Sequence, residues 1–227
     1  DLIEKIKYNV FYKITHVWQP DHGFQKTIIL NKALLKSNGN YIVFTDGDCI
    51  PRSDFLETHN KFKKNGFFLS GGYFKLNEDL SKLINIEDIS SENCFKYNWL
   101  RENGLVKSIK NLKILSNDTL AKIFNSITTT RPSWNGHNSS GWRKDIFSVN
   151  GFDERMKYGG EDRELGERLT NFGIRPKQIR YSAICLHLHH KRSYVNQNSW
   201  NQNNRIRSET RIQKLKWTNY GLVKDKN

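Results

Sequence analysis

The stretch Tyr41-Ile-Val-Phe-Thr-Asp-Gly-Asp-Cys-Ile-Pro51 decides how the rest of the chain is interpreted. Its first five residues are apolar, β-branched or aromatic for the most part, which is typical of a buried strand in an α/β sheet. The run ends in Asp46-Gly47-Asp48, and side chains two positions apart in an extended segment point the same way. Because open α/β sheets bind ligands at the carboxyl ends of their strands, we expect the two carboxylates to converge on a ligand there.

Two carboxylates at a strand end suit a divalent cation such as Mg²⁺ or Mn²⁺, with phosphate oxygens and water completing its shell. Gly47 adds no side-chain bulk between them and allows a ligand to approach the backbone. The alternative is an ordinary surface turn, because Asp-Gly is a common turn dipeptide. An EF-hand calcium loop is excluded, since the later acidic positions and the glycine that it requires are absent.

Length and cysteine content predict a single intracellular domain. The 227 residues suffice for one core, which we assign to residues 1–195, with residues 196–227 as a basic helical extension. Cys49, Cys94 and Cys185 are scattered and odd in number, which argues for a reducing compartment. No apolar run reaches the roughly 18 residues of a membrane span and no signal peptide is visible, so we expect a cytoplasmic protein.

The charge is strongly basic. Lysine and arginine exceed aspartate and glutamate by 14 (37 against 23), which predicts a phosphate-bearing partner: nucleic acid, an anionic membrane face or a nucleotide-bearing substrate. Nucleic acid is the least favoured of these. The chain has no zinc-binding spacing, RNP-like motif or basic heptad region, and its basic residues are dispersed.

The hydrophobic pattern predicts alternating strands and helices around a polar insertion. Further strands are predicted at residues 11–18, 67–74 and 178–187. Helices are predicted at residues 1–9, 24–35, 54–64 (with Ser53 as N-cap), 161–172 (with Leu165, Leu169 and Phe172 inward and Gly173 as C-cap) and 196–216. Residues 75–128 are expected to form an irregular helical insertion over one face of the sheet.

The segment Tyr158-Gly-Gly-Glu-Asp162 is a second candidate site. Its two glycines permit a close approach, and its two carboxylates then open a helix. Acidic residues are common in a first helical turn because they suit the helix dipole, so a purely structural role is the main alternative. The same field keeps a carboxylate ionised, as a general base near neutral pH requires.

The segment Leu186-His-Leu-His-His-Lys-Arg192 is the third candidate. In a strand His187 and His189 would share a face while His190 points away. Three clustered histidines suggest work on a metal or a phosphate, although one at a strand end is often only a surface residue. Imidazole joining Asp48 in one site would favour Mn²⁺ over Mg²⁺.

Taken in order, these segments resemble a family-2-type glycosyltransferase of the GT-A fold. The resemblance is to the branch that shares its C-terminal half with β-1,4-galactosyltransferases and chondroitin-polymerase-type enzymes. The matching stretches are Asp21-His-Gly-Phe-Gln-Lys-Thr-Ile-Ile-Leu-Asn31, Asp46-Gly-Asp48, Gly136-His-Asn138 through Trp142-Arg-Lys, Asn150-Gly-Phe-Asp-Glu154, Gly159-Gly-Glu-Asp162 and the histidine cluster from His187. Each is short, but the ordered set across residues 12–192 is specific.

The resemblance implies an α/β GT-A (nucleotide-diphospho-sugar transferase) fold: a mixed, mainly parallel sheet flanked by helices. The first βα units of that fold are missing, because nothing matches the family's opening strand or the later Asp-rich strand end that holds the nucleotide base. The family usually has Trp where this chain has Tyr158. An aromatic wall is kept there with a different shape.

The resemblance also implies roles for individual residues. The implied metal ligands are Asp46, Asp48 and His187, and the family's His-Leu-x-His spacing adds His190 against the strand-face argument for His189. The implied donor-binding residues are Asp21 and Lys26 at the nucleotide, Gly136 and Asn138 at the sugar, and Lys191 or Arg192 at the leaving diphosphate. The implied acceptor-binding residues are Tyr158, Gly160 and Glu161, with Asp162, or less readily Glu161, as the general base.

The expected reaction is an inverting, metal-dependent transfer of a hexose from a UDP-sugar to a hydroxyl of a polysaccharide or lipid-linked glycan. UDP-Gal, UDP-Glc or their N-acetylated relatives are the donors that the resemblance suggests. The basic surface would let such an enzyme rest on the anionic inner leaflet of the membrane. A catalytically inactive glycan-binding relative is the alternative, and a basic nucleic-acid-binding protein is a more distant one.

Overall fold

The computed structural model describes residues 2–191 and 194–224. Its helices are α1 (Leu2–Lys7), α2 (Lys26–Lys36), α3 (Phe55–Phe62), α4 (Glu78–Leu83), α5 (Ile86–Ser90), α6 (Tyr97–Glu102), α7 (Leu112–Leu115), α8 (Asp118–Ile127), α9 (Arg143–Ser148), α10 (Glu161–Phe172) and α11 (Gln197–Ile212). Its strands are β1 (Tyr41–Phe44), β2 (Cys49–Pro51), β3 (Phe67–Ser70), β4 (Gly72–Lys75), β5 (Ser139–Trp142), β6 (Arg175–Gln178) and β7 (Ile184–His187).

The strands form two mixed sheets flanked by helices, which confirms the predicted α/β class. One sheet has the order β1-β5-β3-β6 and the other the order β2-β7-β4. Parallel pairing does not predominate, however: of the five pairings among the described strands, β1–β5, β3–β5 and β2–β7 are antiparallel. The expectation of a mainly parallel sheet was wrong, because the chain repeatedly crosses between two small sheets.

The Asp46-Gly47-Asp48 segment makes one of these crossings. β1 lies in the first sheet and β2 in the second, and the turn between them is closed where the Cys49 N–H donates to the Asp46 carbonyl at 3.1 Å. The predicted strand end and the alternative turn are therefore both present. Strands β3 and β4 repeat the pattern: the single strand predicted for residues 67–74 is two strands in two sheets.

Asn138 joins the two sheets. Its buried amide donates to the carbonyls of Gly72 (2.6 Å) and Ala183 (3.0 Å), and its Oδ1 lies 2.9 Å from His59 Nε2. A Cβ on Gly72 would lie only 2.1 Å from the Arg180 carbonyl oxygen, so this crossing needs glycine. Burial lowers the pKa of His59 to about 4, which keeps the imidazole of this network neutral.

Two hydrophobic cores follow from the two sheets. The first lies between the four-stranded sheet and helices α2, α9 and α10, and includes Phe68, Trp134 and Leu165. The second lies beneath the helical insertion and includes Leu80, Leu100 and Leu186, so the insertion covers one sheet as expected. Truncating a fully buried leucine in such a core costs about 2–5 kcal/mol.

Helix α10 carries the second candidate segment and has the predicted bounds. It starts after Gly160 (φ 90°) and ends at Gly173 (φ 107°), both in the left-handed conformation that glycine adopts without strain. Leu165 and Leu169 are buried, as predicted. Phe172 is 44 % exposed, so its predicted inward position was wrong: it lies on the last turn, beyond the core.

Three further expectations were wrong. Residues 11–18 form no strand and belong to neither sheet, and Phe11 is wholly exposed, so the strand-like composition of this segment is not matched by ladder pairing. Residues 178–187 are not one strand, since β6 and β7 belong to different sheets. Helix α3 begins after Asp54 rather than after Ser53, and the Asp54 carboxylate pairs with Arg52 at 2.7 Å instead of capping the helix.

The basic extension packs against the domain. Thr210 of α11 donates to the buried Glu164 at 2.9 Å, and Ile206 is buried beside it. Glu164 also pairs with Arg168 one turn later at 2.8 Å. In the described part of the chain, no helix combines the length and the apolar character needed to cross a membrane.

Candidate functional site

A cavity of about 480 Å³ brings the three candidate segments together. The residues that line it are Phe24, Lys26, Asp46, Gly47, Asp48, His137, Tyr158, Glu161, Asp162, His187, His190 and Tyr194. They come from the start of α2, the turn after β1, the loop before β5, the start of α10, and the end of β7 with the chain that follows it. These segments are far apart in the sequence, so only the fold unites them.

One side of this cavity, which we call the lysine wall, consists of Lys26, Asp46, Glu161 and Asp162. Lys26 Nζ lies 2.7 Å from Asp46 Oδ1. The Gly136 N–H donates to Asp162 Oδ2 at 2.9 Å. A Cβ on Gly136 would lie 2.6 Å from Lys26 Nζ and 2.9 Å from Asp162 Oδ2, so glycine at this position lets both charged groups approach the backbone.

The lysine wall is electrostatically crowded. Burial alone would lower the pKa of Lys26, but Asp162 and Asp46 outweigh it and raise that pKa, so the ammonium stays charged. Burial, and then the neighbouring Asp162, raises the pKa of Glu161 to about 7. Burial also raises the pKa of Asp162, while Lys26 opposes the shift. The lysine wall thus holds one ammonium and three carboxyl groups, and one of the two carboxyl groups that begin α10, Glu161, can hold a proton near neutral pH.

The two oxygens of the Asp162 carboxylate differ in their hydrogen bonding. Its Oδ2 accepts from Gly136, whereas its Oδ1 is enclosed and has no hydrogen-bond partner among the described residues. An enclosed carboxylate oxygen without a donor costs free energy unless something binds to it. Asp162 also lines the cavity, so an unsatisfied carboxylate oxygen belongs to its wall.

A second group of lining residues, which we call the imidazole wall, consists of Asp48, His187 and His190. Asp48 Oδ2 lies 3.2 Å from His190 Nε2 and 3.8 Å from His187 Nε2. The Nδ1 atom of each ring faces a main-chain carbonyl, at 2.9 Å for His187 and 3.1 Å for His190. Neutral rings would then carry their hydrogen on Nδ1 and leave both Nε2 lone pairs directed towards Asp48. Carbonyl partners of this kind fix the orientation of metal-binding histidines.

His189 is not part of this wall, although strand alternation pointed to it. Its side chain is exposed and its N–H donates to Ser81 Oγ at 2.8 Å. Strand β7 ends at His187, so alternation ends there too, and the turn that follows returns His190 to the cavity. The spacing drawn from the family resemblance fits the positions of His187 and His190.

Cys49 adjoins the imidazole wall. Its sulfur, an Asp48 oxygen and a His187 nitrogen all lie within 4.8 Å of one another. A hydrogen bond with Cys185, together with burial, raises the pKa of Cys49 and keeps it a neutral thiol. Its position makes Cys49 a third candidate donor beside Asp48 and His187, although a thiol suits softer ions than Mn²⁺ or Mg²⁺.

The mouth of the cavity is aromatic. Tyr158 contacts Phe24 and Tyr194, with ring centroids 5.5 Å and 4.9 Å away. His137 lies deeper, and burial lowers its pKa to about 4. Sequence reasoning missed Phe24, His137 and Tyr194. Phe24 and His137 each sit inside a quoted motif and could have been found, but nothing in the sequence marked Tyr194.

Four predicted donor residues lie elsewhere or differ in role. Asp21 borders a neighbouring cleft of about 320 Å³ that shares only Lys26 with the main cavity. Asn138 is buried between the sheets with its amide fully engaged, so its prediction as a sugar-binding residue is corrected to a structural one. Lys191 is exposed, and Arg192 lies outside the described residues.

The predicted acceptor residues meet at the start of α10. Tyr158 lines the cavity, and Gly160 adopts φ 90° with Arg207 packed against it. Glu161 is buried, and its Oε2 accepts from the Gly159 N–H at 2.8 Å. The two glycines therefore shape the loop that holds both carboxylates.

One family model matches part of the chain. Residues 126–191 match a family model described as the N-terminal domain of galactosyltransferase, which covers Gly136, the start of α10 and the histidine cluster. This match extends over less than a third of the 227 residues. No curated protein matches the chain.

Several solved structures are similar to the chain. The mannosyltransferase PcManGT from Pyrobaculum calidifontis, in complex with GDP-Man and Mn²⁺, is 19 % identical with a TM-score of 0.41, covering 82 % of this chain and 41 % of that one. Glucosyl-3-phosphoglycerate synthase from Mycobacterium tuberculosis, in complex with phosphoglyceric acid, is 15 % identical with a TM-score of 0.44, covering 86 % and 57 %. A mycobacterial protein gives 15 % identity, a TM-score of 0.45, and 86 % and 54 % coverage. The chain thus spans about half the length of these structures.

Proposed function

We propose that the chain is a glycosyltransferase of the GT-A fold that moves a hexose from a UDP-sugar to a hydroxyl, with inversion and with a bound divalent cation. The observation that carries the proposal is the cavity itself. Its lining combines a buried carboxylate, Asp162, whose Oδ1 has no described hydrogen-bond partner, with an aspartate and two oriented imidazoles. The family-model match to residues 126–191 supports sugar transfer as the class of reaction.

The imidazole wall would hold the cation. One carboxylate and two imidazoles suit Mn²⁺ better than Mg²⁺, which prefers oxygen ligands alone. When bound, the cation would neutralise the negative charge that develops on the leaving diphosphate. Asp46 is a poorer ligand than the sequence suggested, because its carboxylate already pairs with Lys26 at 2.7 Å.

Asp162 would act as the general base. Lys26 favours its ionised form, and its free Oδ1 can accept the proton of an acceptor hydroxyl. The attack of that oxygen on the anomeric carbon, with loss of the nucleoside diphosphate, inverts the configuration in one step. A β-glycoside would result from an α-linked donor.

Glu161 and Tyr158 would position the acceptor. The pKa of Glu161 is raised to about 7, so this side chain can donate or accept a hydrogen bond to a sugar hydroxyl. The Tyr158 ring offers an apolar face for a sugar ring. A polysaccharide or lipid-linked glycan is the proposed acceptor, and the net charge of +14 supports association with an anionic inner leaflet.

A donor screen tests the proposal. The purified protein is incubated with UDP-Gal, UDP-Glc, their N-acetylated relatives and GDP-Man, with and without Mn²⁺, and release of the nucleoside diphosphate is measured. Mn²⁺-dependent release from at least one UDP-sugar is expected, and Asp162→Asn serves as the inactive control. Binding of glycans without release from any donor would instead favour an inactive glycan-binding relative.

A further inference from the structure

A second cavity, of about 810 Å³, lies between α10, α11 and residues 130–134. We call it the arginine groove, because Arg131, Arg163, Arg207 and Arg211 line it. Glu167 is the one carboxylate among its described lining residues. Nothing in the transfer chemistry above uses this groove.

The charge of the groove is not balanced. Arg207 donates two hydrogen bonds to the Glu167 carboxylate, at 2.6 Å and 3.3 Å. Arg211 lies 3.5 Å from the same carboxylate. Arg131 and Arg163 are exposed and have no carboxylate within ion-pair distance in residues 2–191 and 194–224. Four guanidinium groups against one carboxylate leave three positive charges in a concave site, which would raise the local concentration of anions.

The arrangement of the charges favours an extended anion over a small one. Arg207 and Arg211 of α11 share the Glu167 carboxylate, whereas Arg131 and Arg163 lie on two other segments and pair with no described carboxylate. Guanidinium groups bind carboxylate, sulfate and phosphate oxygens in pairs. Because the positive groups come from three segments of one large cavity, a chain with several acidic groups can contact more than one of them.

The floor of the groove separates the classes of polyanion. Its aromatic residues, Phe68 and Trp134, are 1 % and 0 % exposed, so none is available to stack on nucleic-acid bases. Half-buried Pro132 and Pro176 offer apolar contact to the C–H faces of sugar rings. The recessed shape suits a single chain rather than the plane of a bilayer.

The groove begins next to the first cavity. A Cβ on Gly160 would lie 3.0 Å from Arg207 Cδ, and Gly160 is the residue before Glu161. Arg163 follows Asp162 directly on α10. A glycan whose reactive end occupies the lysine wall could therefore continue past Gly160 into the groove.

We propose that the arginine groove binds an acidic glycan, the already formed part of an acceptor that carries carboxylate or sulfate groups. The assignment to an acceptor rests on the proposed transfer function. The affinity of the groove for acidic glycans is a separate property of its four arginines.

Binding without donor or metal tests this proposal. Affinities are measured by calorimetry for oligogalacturonate, for heparin-derived oligosaccharides and for a neutral dextran fragment of equal length. The protein is expected to bind one or both acidic chains and not the neutral one. Arg131→Ala together with Arg163→Ala should weaken acidic-chain binding about tenfold or more, because both guanidinium groups can make charge-assisted hydrogen bonds to the bound chain.

The matched control removes two charges elsewhere. Lys107 and Lys110 are exposed on the helical insertion, and Lys107→Ala with Lys110→Ala should leave the affinity within about twofold. Equal losses in both double variants would mean diffuse charge and overturn the proposal. Tighter binding of single-stranded RNA, lost through the same arginines, would overturn it in favour of nucleic acid.

The result is independent of the donor screen. If the nucleoside diphosphate is released but the affinity for acidic glycans does not depend on the arginines, the groove proposal alone is refuted. Arginine-dependent binding of acidic glycans without donor release would refute the transfer function and support the groove as a glycan site.

Discussion

The two walls of the first cavity contain the two aspartates of one short segment, yet their environments differ sharply. Asp46 faces an ammonium at 2.7 Å, in a wall with two further carboxylates. Asp48 faces two imidazoles at 3.2 Å and 3.8 Å and no described lysine or arginine at ion-pair distance. Two carboxylates separated by one glycine thus have different partners and are suited to different roles.

The difference arises from the backbone. A continuous strand would have sent both side chains to the same side, but the segment is a turn that carries the chain from one sheet to the other. The turn directs Asp46 towards α2 and α10 and Asp48 towards the end of β7. An Asp-x-Asp pattern therefore does not by itself imply two ligands for one ion.

The largest expected effect is on the lysine wall. Asp162→Asn keeps the shape and the contact with Gly136 but removes the base. If Asp162 acts only in the transition state, kcat should fall by about 10²–10⁴ while donor affinity stays nearly constant. Steady-state kinetics and calorimetric titration with UDP check the two halves of this statement.

The matched variant is Glu161→Gln on the neighbouring residue. It should raise the acceptor KM more than it lowers kcat, since Glu161 is proposed to hold the acceptor. A larger loss of kcat in Glu161→Gln than in Asp162→Asn would exchange the two roles.

A smaller effect is expected on stability. The pKa of Glu161 is about 7 in the folded protein against the ordinary 4.5, so the folded state holds its proton more tightly. The free energy of unfolding therefore receives the full contribution of protonated Glu161 below about pH 4.5. That contribution is lost as the pH rises through about 7, because the buried carboxyl group must then ionise. Glu161→Gln should remove this loss and stabilise the protein at pH 8 by about 1–3 kcal/mol relative to pH 5.

Urea unfolding at pH 5 and pH 8 measures this difference. The lysine wall would then be a site where stability is given up for function, unlike the imidazole wall. Identical pH dependence in both proteins would show that Glu161 is not destabilised in the folded state.

Much of the fold could be predicted from local patterns. The bounds of α10 follow from Gly160, Gly173 and the spacing of Leu165 and Leu169. Strand β1 and the insertion were also predicted, because their signals are contained within short windows of sequence. The α/β class followed from the alternation of such windows.

The division into two sheets could not be predicted in this way. A strand and a strand–turn–strand look alike when both halves are apolar, as in residues 67–74, and only the partners of each half separate them. The same reason explains the exposed residues 11–18, whose composition suits a strand but which belong to neither sheet.

The site was predicted in its parts but not in its pairings. The sequence identified Asp46, Asp48 and Asp162 as candidates. It did not reveal that Lys26 and Asp46 form an ion pair, because a contact between α2 and the turn after β1 depends on tertiary packing. The arginine groove was also missed, since its charges are dispersed over three separate segments.

Mn²⁺ affinity in two isosteric variants tests the division between the walls most directly. The free Mn²⁺ signal is measured by electron paramagnetic resonance in the presence of UDP, for the unaltered protein, Asp48→Asn and Asp46→Asn. Each substitution removes one carboxylate charge from the same turn, so the two variants are matched in charge and size. We expect Asp48→Asn to weaken Mn²⁺ binding at least about tenfold, and Asp46→Asn to change it less than about threefold. Equal weakening in both variants, or a larger loss in Asp46→Asn, would contradict the account.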